Sequence, residues 1–62
     1  MLAEARALGT LPAAEVEPRL GVLRSCYRET PRLFSAETLL LLRQAAERVR
    51  EQVQAQALAA LQ

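Results

Sequence analysis

From Ala36 to Leu61 the chain contains neither glycine nor proline. A stretch of up to about 26 residues without a backbone breaker can run as one α-helix of about 39 Å, at 1.5 Å per residue. Its start is marked. Ser35 has the short hydroxyl that accepts from the unpaired amides of a first turn, and Glu37 lies close to the positive helix end. Phe34 before the cap and Leu39 in the second turn have the spacing of a hydrophobic staple. The final turn, Ala59 to Gln62, has no capping residue and is expected to fray. Twelve Ala, twelve Leu, eight Arg and seven Glu extend the same preference to the rest of the chain. An all-α fold is expected.

Upstream, Pro31 biases Thr30 away from helical dihedrals, and Pro18 lacks only an amide that an N-terminal turn leaves unpaired. These two prolines predict a helix over residues 18–30 and a turn over 31–35. Within that helix Leu20, Leu23 and Tyr27 recur at three and four residues, extended backward by Val16, so one stripe is apolar. Gly21 costs such a helix about 1 kcal/mol relative to Ala unless its missing side chain admits a neighbour. Residues 1–17 form an N-terminal appendage, with a short helix over 2–8 ended by Gly9 and a further turn from Thr10 through Pro12 to Val16. Taken as one small domain over 1–62, this is a helical hairpin with a helical appendage. A chain of this size buries only about 60% of the surface its unfolded form exposes. Packing into a dimer or a multi-helix bundle is therefore expected.

The long helix suggests how. Leu39, Leu42, Ala46, Val49, Val53, Gln56 and Ala60 follow a strict three-four alternation, the seam of a helix lying lengthwise against another. Leu40 and Leu41 fall outside it and add apolar surface on another side, to be covered by residues 2–16 or by a second chain. Arg43, Glu47 and Arg50, with Arg48 and Glu51, have the spacing of weak ion pairs on a solvated flank. The partner implied is another protein, or a second copy of this chain, held through Leu39, Leu40, Leu41, Leu42, Ala46, Val49 and Val53.

Chemistry is poorly provided for. One cysteine, no histidine and no aspartate supply neither a metal cluster nor a catalytic constellation, so no enzyme and no cofactor are expected. Cys26 lies beside Tyr27, Arg24 and Arg28 but lacks the histidine that a cysteine nucleophile normally uses, and is read as a helix-packing residue. Charge is uneven. Residues 1–18 hold one Arg and three Glu (net −2), residues 19–32 hold four Arg and one Glu (net +3), and the remainder balances. Arg19, Arg24, Arg28 and Arg32 are the residues for an alternative reading, nucleic-acid binding through phosphates. The absence of Lys and a formal net charge of +1 disfavour it against a solvated face or an acidic protein partner.

The longest wholly apolar run is Leu39 to Leu42, far below the roughly 18 to 20 residues of a membrane span. The opening residues lack the apolar core of a secretory signal. A soluble, intracellular, cytoplasmic protein is expected, with mitochondrion and nucleus left open. The stretch from Leu20 through Val49, with its Ser-capped helix bearing Leu42, Ala46 and Val49, resembles the first two helices of a histone fold, which implies an obligate partner; no third helix follows. Cys26-Tyr27-Arg28 is similar to the Leu-Tyr-Arg signature of small mitochondrial assembly factors, with the leading Leu replaced.

Overall fold

The computed structural model describes residues 1–61 and contains α1 (Leu2–Leu8), α2 (Ala13–Glu29), a 3-10 turn (Pro31–Leu33) and α3 (Ala36–Leu61), with no strand among the described residues. The fold is all-α. Gln62, the last residue of the expected frayed turn, lies outside the described residues.

Ser35 caps α3 as its chemistry requires. Its Oγ accepts from the Thr38 amide at 3.2 Å and shares a second hydrogen bond, 2.9 Å, with the Thr38 hydroxyl. The Ser35 carbonyl accepts the first intrahelical bond from Leu39 at 3.0 Å. Thr38 is thereby carried into the core with its one polar side-chain atom satisfied.

The start of α2 differs from expectation. The helix begins at Ala13, not Pro18, and Pro18 lies inside it. Pro12, in extended conformation at φ −61° and ψ 151°, is the N-cap, and its carbonyl accepts from Glu15 at 2.9 Å and Val16 at 3.1 Å. Pro18 has no amide for the carbonyl of Ala14, but both residues are exposed, on a face of the helix where water replaces the missing donor at low cost. In return the early start brings Val16 into the same buried stripe as Leu20 and Leu23. Val16 is completely buried, and burying a Val side chain contributes about 1.5–3 kcal/mol.

Two threonines close the first two helices. Thr10 does not cap a following turn; its hydroxyl donates back to the Ala7 carbonyl at 2.8 Å, and its amide reaches the same carbonyl at 3.1 Å. Gly9 follows α1 as expected, in right-handed rather than left-handed conformation. Thr30 repeats the arrangement on Cys26, through its amide at 2.8 Å and its hydroxyl at 3.0 Å.

The three helices share one cluster of buried side chains: Ala5 and Leu8 from α1, Val16, Leu20 and Leu23 from α2, Phe34 from the connection, Leu42 and Ala45 from α3. Phe34 also meets Tyr27 edge to face, with ring centroids 5.2 Å apart. Arg6 pairs with Glu37 at 3.2 Å, and Arg48 donates to the carbonyls of Leu8 at 3.0 Å and Leu11 at 2.9 Å. These contacts run α1 in the same sense as α3, and the α1–α2 connection returns α2 antiparallel to both. The whole measures 45 × 21 × 17 Å, so α3, about 39 Å long, sets its longest dimension. Every described residue from Arg50 onward is exposed. No helix of the described residues is long and apolar enough to cross a membrane.

Candidate interaction surface

The side of α3 that faces the core carries Thr38, Leu42 and Ala45, with Leu41, Ala46 and Val49 partly buried against it. At 100° per residue this direction is rotated by roughly 40° from the seam expected from the sequence. The two stripes share Leu42, Ala46 and Val49. Leu39 and Val53 are left at the surface, 37% and 55% exposed. Leu41, outside the seam, is half-covered by the α1 side, where it lines a small groove with Ala5, Arg6 and Gly9. Leu40 is not covered and stays 52% exposed.

Rotated partly out of the core, the seam borders an open trough between α2 and α3, on the side away from α1. Three contiguous grooves make it up. The first, about 410 Å³, is bounded by Arg24, Tyr27 and Arg28 of α2 and by Leu39, Leu42, Arg43 and Ala46 of α3. The second, about 420 Å³, continues over Gly21 and Leu20 to Ala46, Val49 and Arg50. The third, about 470 Å³, reaches from Pro12, Ala13 and Glu17 to Val49, Val53 and Gln56. Leu39, Leu42, Ala46, Val49 and Val53 therefore all line one surface feature.

Gly21 lies at the middle of the α2 rim. A β-carbon built on it meets no atom within 4 Å, and its backbone is ordinary right-handed helix. Its missing side chain is thus required neither by its dihedrals nor by any neighbour within the chain; its effect is to keep the trough open.

The four central arginines are not one patch. Arg24 and Arg28 stand on the α2 rim of the trough, whereas Arg19 lines a different groove, between α1 and α2, with Glu4, Ala7 and Val22. Arg32 belongs to the 3-10 turn. In the Arg19 groove, the amino group of Met1 lies 3.0 Å from Glu4 and, with the Glu4 backbone amide, holds that carboxyl below its usual range. The trough instead gathers Arg43 and Arg50 opposite Arg24 and Arg28. Among the described residues, ion pairs form only at Met1–Glu4 and Arg6–Glu37. The ion pairs expected along the long helix are absent, as water screens exposed charges well enough to leave little gain in holding them together. Arg24, Arg28, Arg43 and Arg50 therefore face the trough without a carboxylate partner.

From the sequence Arg48 is expected only in a weak ion pair with Glu51, and its place in the structure is different. Its ties to the carbonyls of Leu8 and Leu11 satisfy acceptors at the end of α1 and place its charge against the negative helix end. No pattern signals this pairing, because the acceptors are main-chain atoms 40 and 37 residues away. Compared with known protein families, with curated proteins and with solved structures, the chain matches none.

Proposed function

We propose that this chain is a non-enzymatic interaction module, a small adaptor or complex subunit that binds a helix of another protein in the trough between α2 and α3. The observation that carries this reading is the position of Leu39, Leu42, Ala46, Val49 and Val53 on one continuous open surface. A helix laid there would contact apolar side chains at i, i+3 and i+7 spacing, the arrangement by which amphipathic helices are held in grooves. It would also complete a four-helix bundle. Small residues at the rim, Gly21 and Ala46, allow the close approach that such packing needs. Nucleic-acid binding is the weaker reading, because the separation of Arg19 from Arg24 and Arg28 breaks up the basic patch and the trough floor is apolar.

The test is an NMR titration of the isotopically labelled protein with a synthetic helix bearing Leu and Ala in three-four alternation. Amide shifts are expected at Gly21, Arg24, Ala46 and Val49, with those of Ala3 and Ala7 on α1 unmoved. Absence of shifts, or shifts spread evenly over all three helices, rejects the trough as a docking surface.

A further inference from the structure

The basic side chains around the trough are more numerous than its acids, and they are unevenly placed. Arg24 and Arg28 stand one turn apart on α2, about 6 Å along its axis. Arg43 and Arg50 stand two turns apart on α3, about 10.5 Å. Among the residues that line the three grooves Glu17 is the one acid, and it lies at the opposite end from Arg28 and Arg43; Glu47, between Arg43 and Arg50 along α3, lines none of them. On the α1 side of the molecule the arginines already have work within the chain, Arg6 on Glu37 and Arg48 on two carbonyls. The trough arginines have no such ion pair.

We infer that the occupant of the trough is an acidic amphipathic helix of a different protein, apolar along one stripe and bearing carboxylates on both flanks, one turn apart on the side facing Arg24 and Arg28. This rests on the proposed docking reading and adds the chemistry of the partner. A guanidinium at the rim of an apolar groove discriminates strongly by sign, since a matching carboxylate gains attraction in a partly dehydrated setting while a like charge is repelled. A second copy of the chain fits less well: its exposed C-terminal segment, Glu51 to Leu61, offers a single carboxylate, Glu51. Phosphates would find the arginines but would set charge against Leu39, Leu42 and Ala46.

The experiment compares three stapled helical peptides with one apolar face and with Glu, Gln or Lys on the flanks, titrated into the full chain at low and moderate salt. The Glu peptide is expected to bind about tenfold more tightly than the Gln peptide, from several surface-exposed charge pairs of modest strength, and the Lys peptide more weakly than both. In the double variant Arg24→Gln/Arg28→Gln, two exposed positions that leave the core untouched, the preference of Glu over Gln should shrink to within about twofold, with circular dichroism unchanged. Equal binding of the Glu and Gln peptides by the native chain overturns the acidic partner while leaving the docking reading in place. Failure of all three overturns both. A concentration-dependent dimer that protects Ala46 and Val49 would make a second copy the occupant and overturn the inference. Tight, salt-sensitive binding of duplex DNA that displaces the Glu peptide would do the same.

Discussion

The guanidinium of Arg48, in the middle of α3, donates 3.0 Å to the carbonyl of Leu8, the last residue of α1. A second nitrogen of the same group reaches Leu11 at 2.9 Å. A helix as short as α1 cannot persist on its own propensity, since nucleation costs more than one or two turns return. It is held by Ala5 and Leu8 in the core and by this cap from the other end of the chain. Because Arg48 ties the end of α1 to the middle of α3, it helps to set which side of α3 is covered and which side is left to form the trough.

Replacement of Arg48 by Met keeps the aliphatic stem and removes both hydrogen bonds. The expected loss is about 1–2 kcal/mol of unfolding free energy, seen as a lower urea midpoint with an unchanged slope. Amide exchange should accelerate at Leu8 and Gly9 more than at Leu20 or Leu42. An equal loss of protection in all helices would mean that Arg48 supports the fold globally and is no local cap.

The parts of the structure legible in the sequence are those decided within one turn of chain: the Ser35 cap, the stop at Pro31, the end of α1 at Gly9. Spacing along the long helix was legible in period but not in phase. Leu39, Leu42, Ala46, Val49 and Thr38, Leu42, Ala45, Val49 both fit a three-four rhythm, and the core took the second. The choice followed from Thr38, whose hydroxyl is satisfied by Ser35 and so can be buried. A rule that counts Thr as polar misses this. The separation of Arg19 from Arg24 was available in principle, since five residues turn a helix by about 140°.

Pro18 was misplaced because a local rule met a tertiary one. A proline suits a first turn, yet a helix that began there would leave Val16 outside it, and Val16 is completely buried. Pro18→Ala should restore the hydrogen bond to the Ala14 carbonyl and remove a ring from a helix interior, raising stability by about 1–3 kcal/mol. Thermal unfolding monitored at 222 nm checks it. A fall in stability would show that the ring itself packs against something the chain needs.

Ser35 and Thr38 act as a pair. Ser35→Ala removes the cap and strands the Thr38 hydroxyl in the core, for an expected loss of about 1–2 kcal/mol. Thr38→Val in the Ser35→Ala background should recover part of that loss, because the stranded hydroxyl is gone. A double-mutant cycle should therefore show coupling of at least about 0.5 kcal/mol. Additive effects would mean that the 2.9 Å contact between the two hydroxyls contributes nothing beyond the cap.

Gly21 separates stability from binding. Its backbone is helical, with no positive φ, and an added β-carbon meets nothing within 4 Å, so Gly21→Ala should stabilise the isolated chain by about 1 kcal/mol through the unfolded state. For a domain of this size that is a rise in Tm of about 4–8 °C. The same methyl group projects from the α2 rim of the trough, between Leu20 and Arg24 on one side and Ala46 and Val49 on the other. Affinity for the acidic helical peptide should fall as Tm rises, because a helix seated over Gly21 loses its close approach. Higher stability with unaltered peptide affinity would show that the occupant does not cross this point of the rim, and lower stability would show that Gly21 serves the chain's own packing.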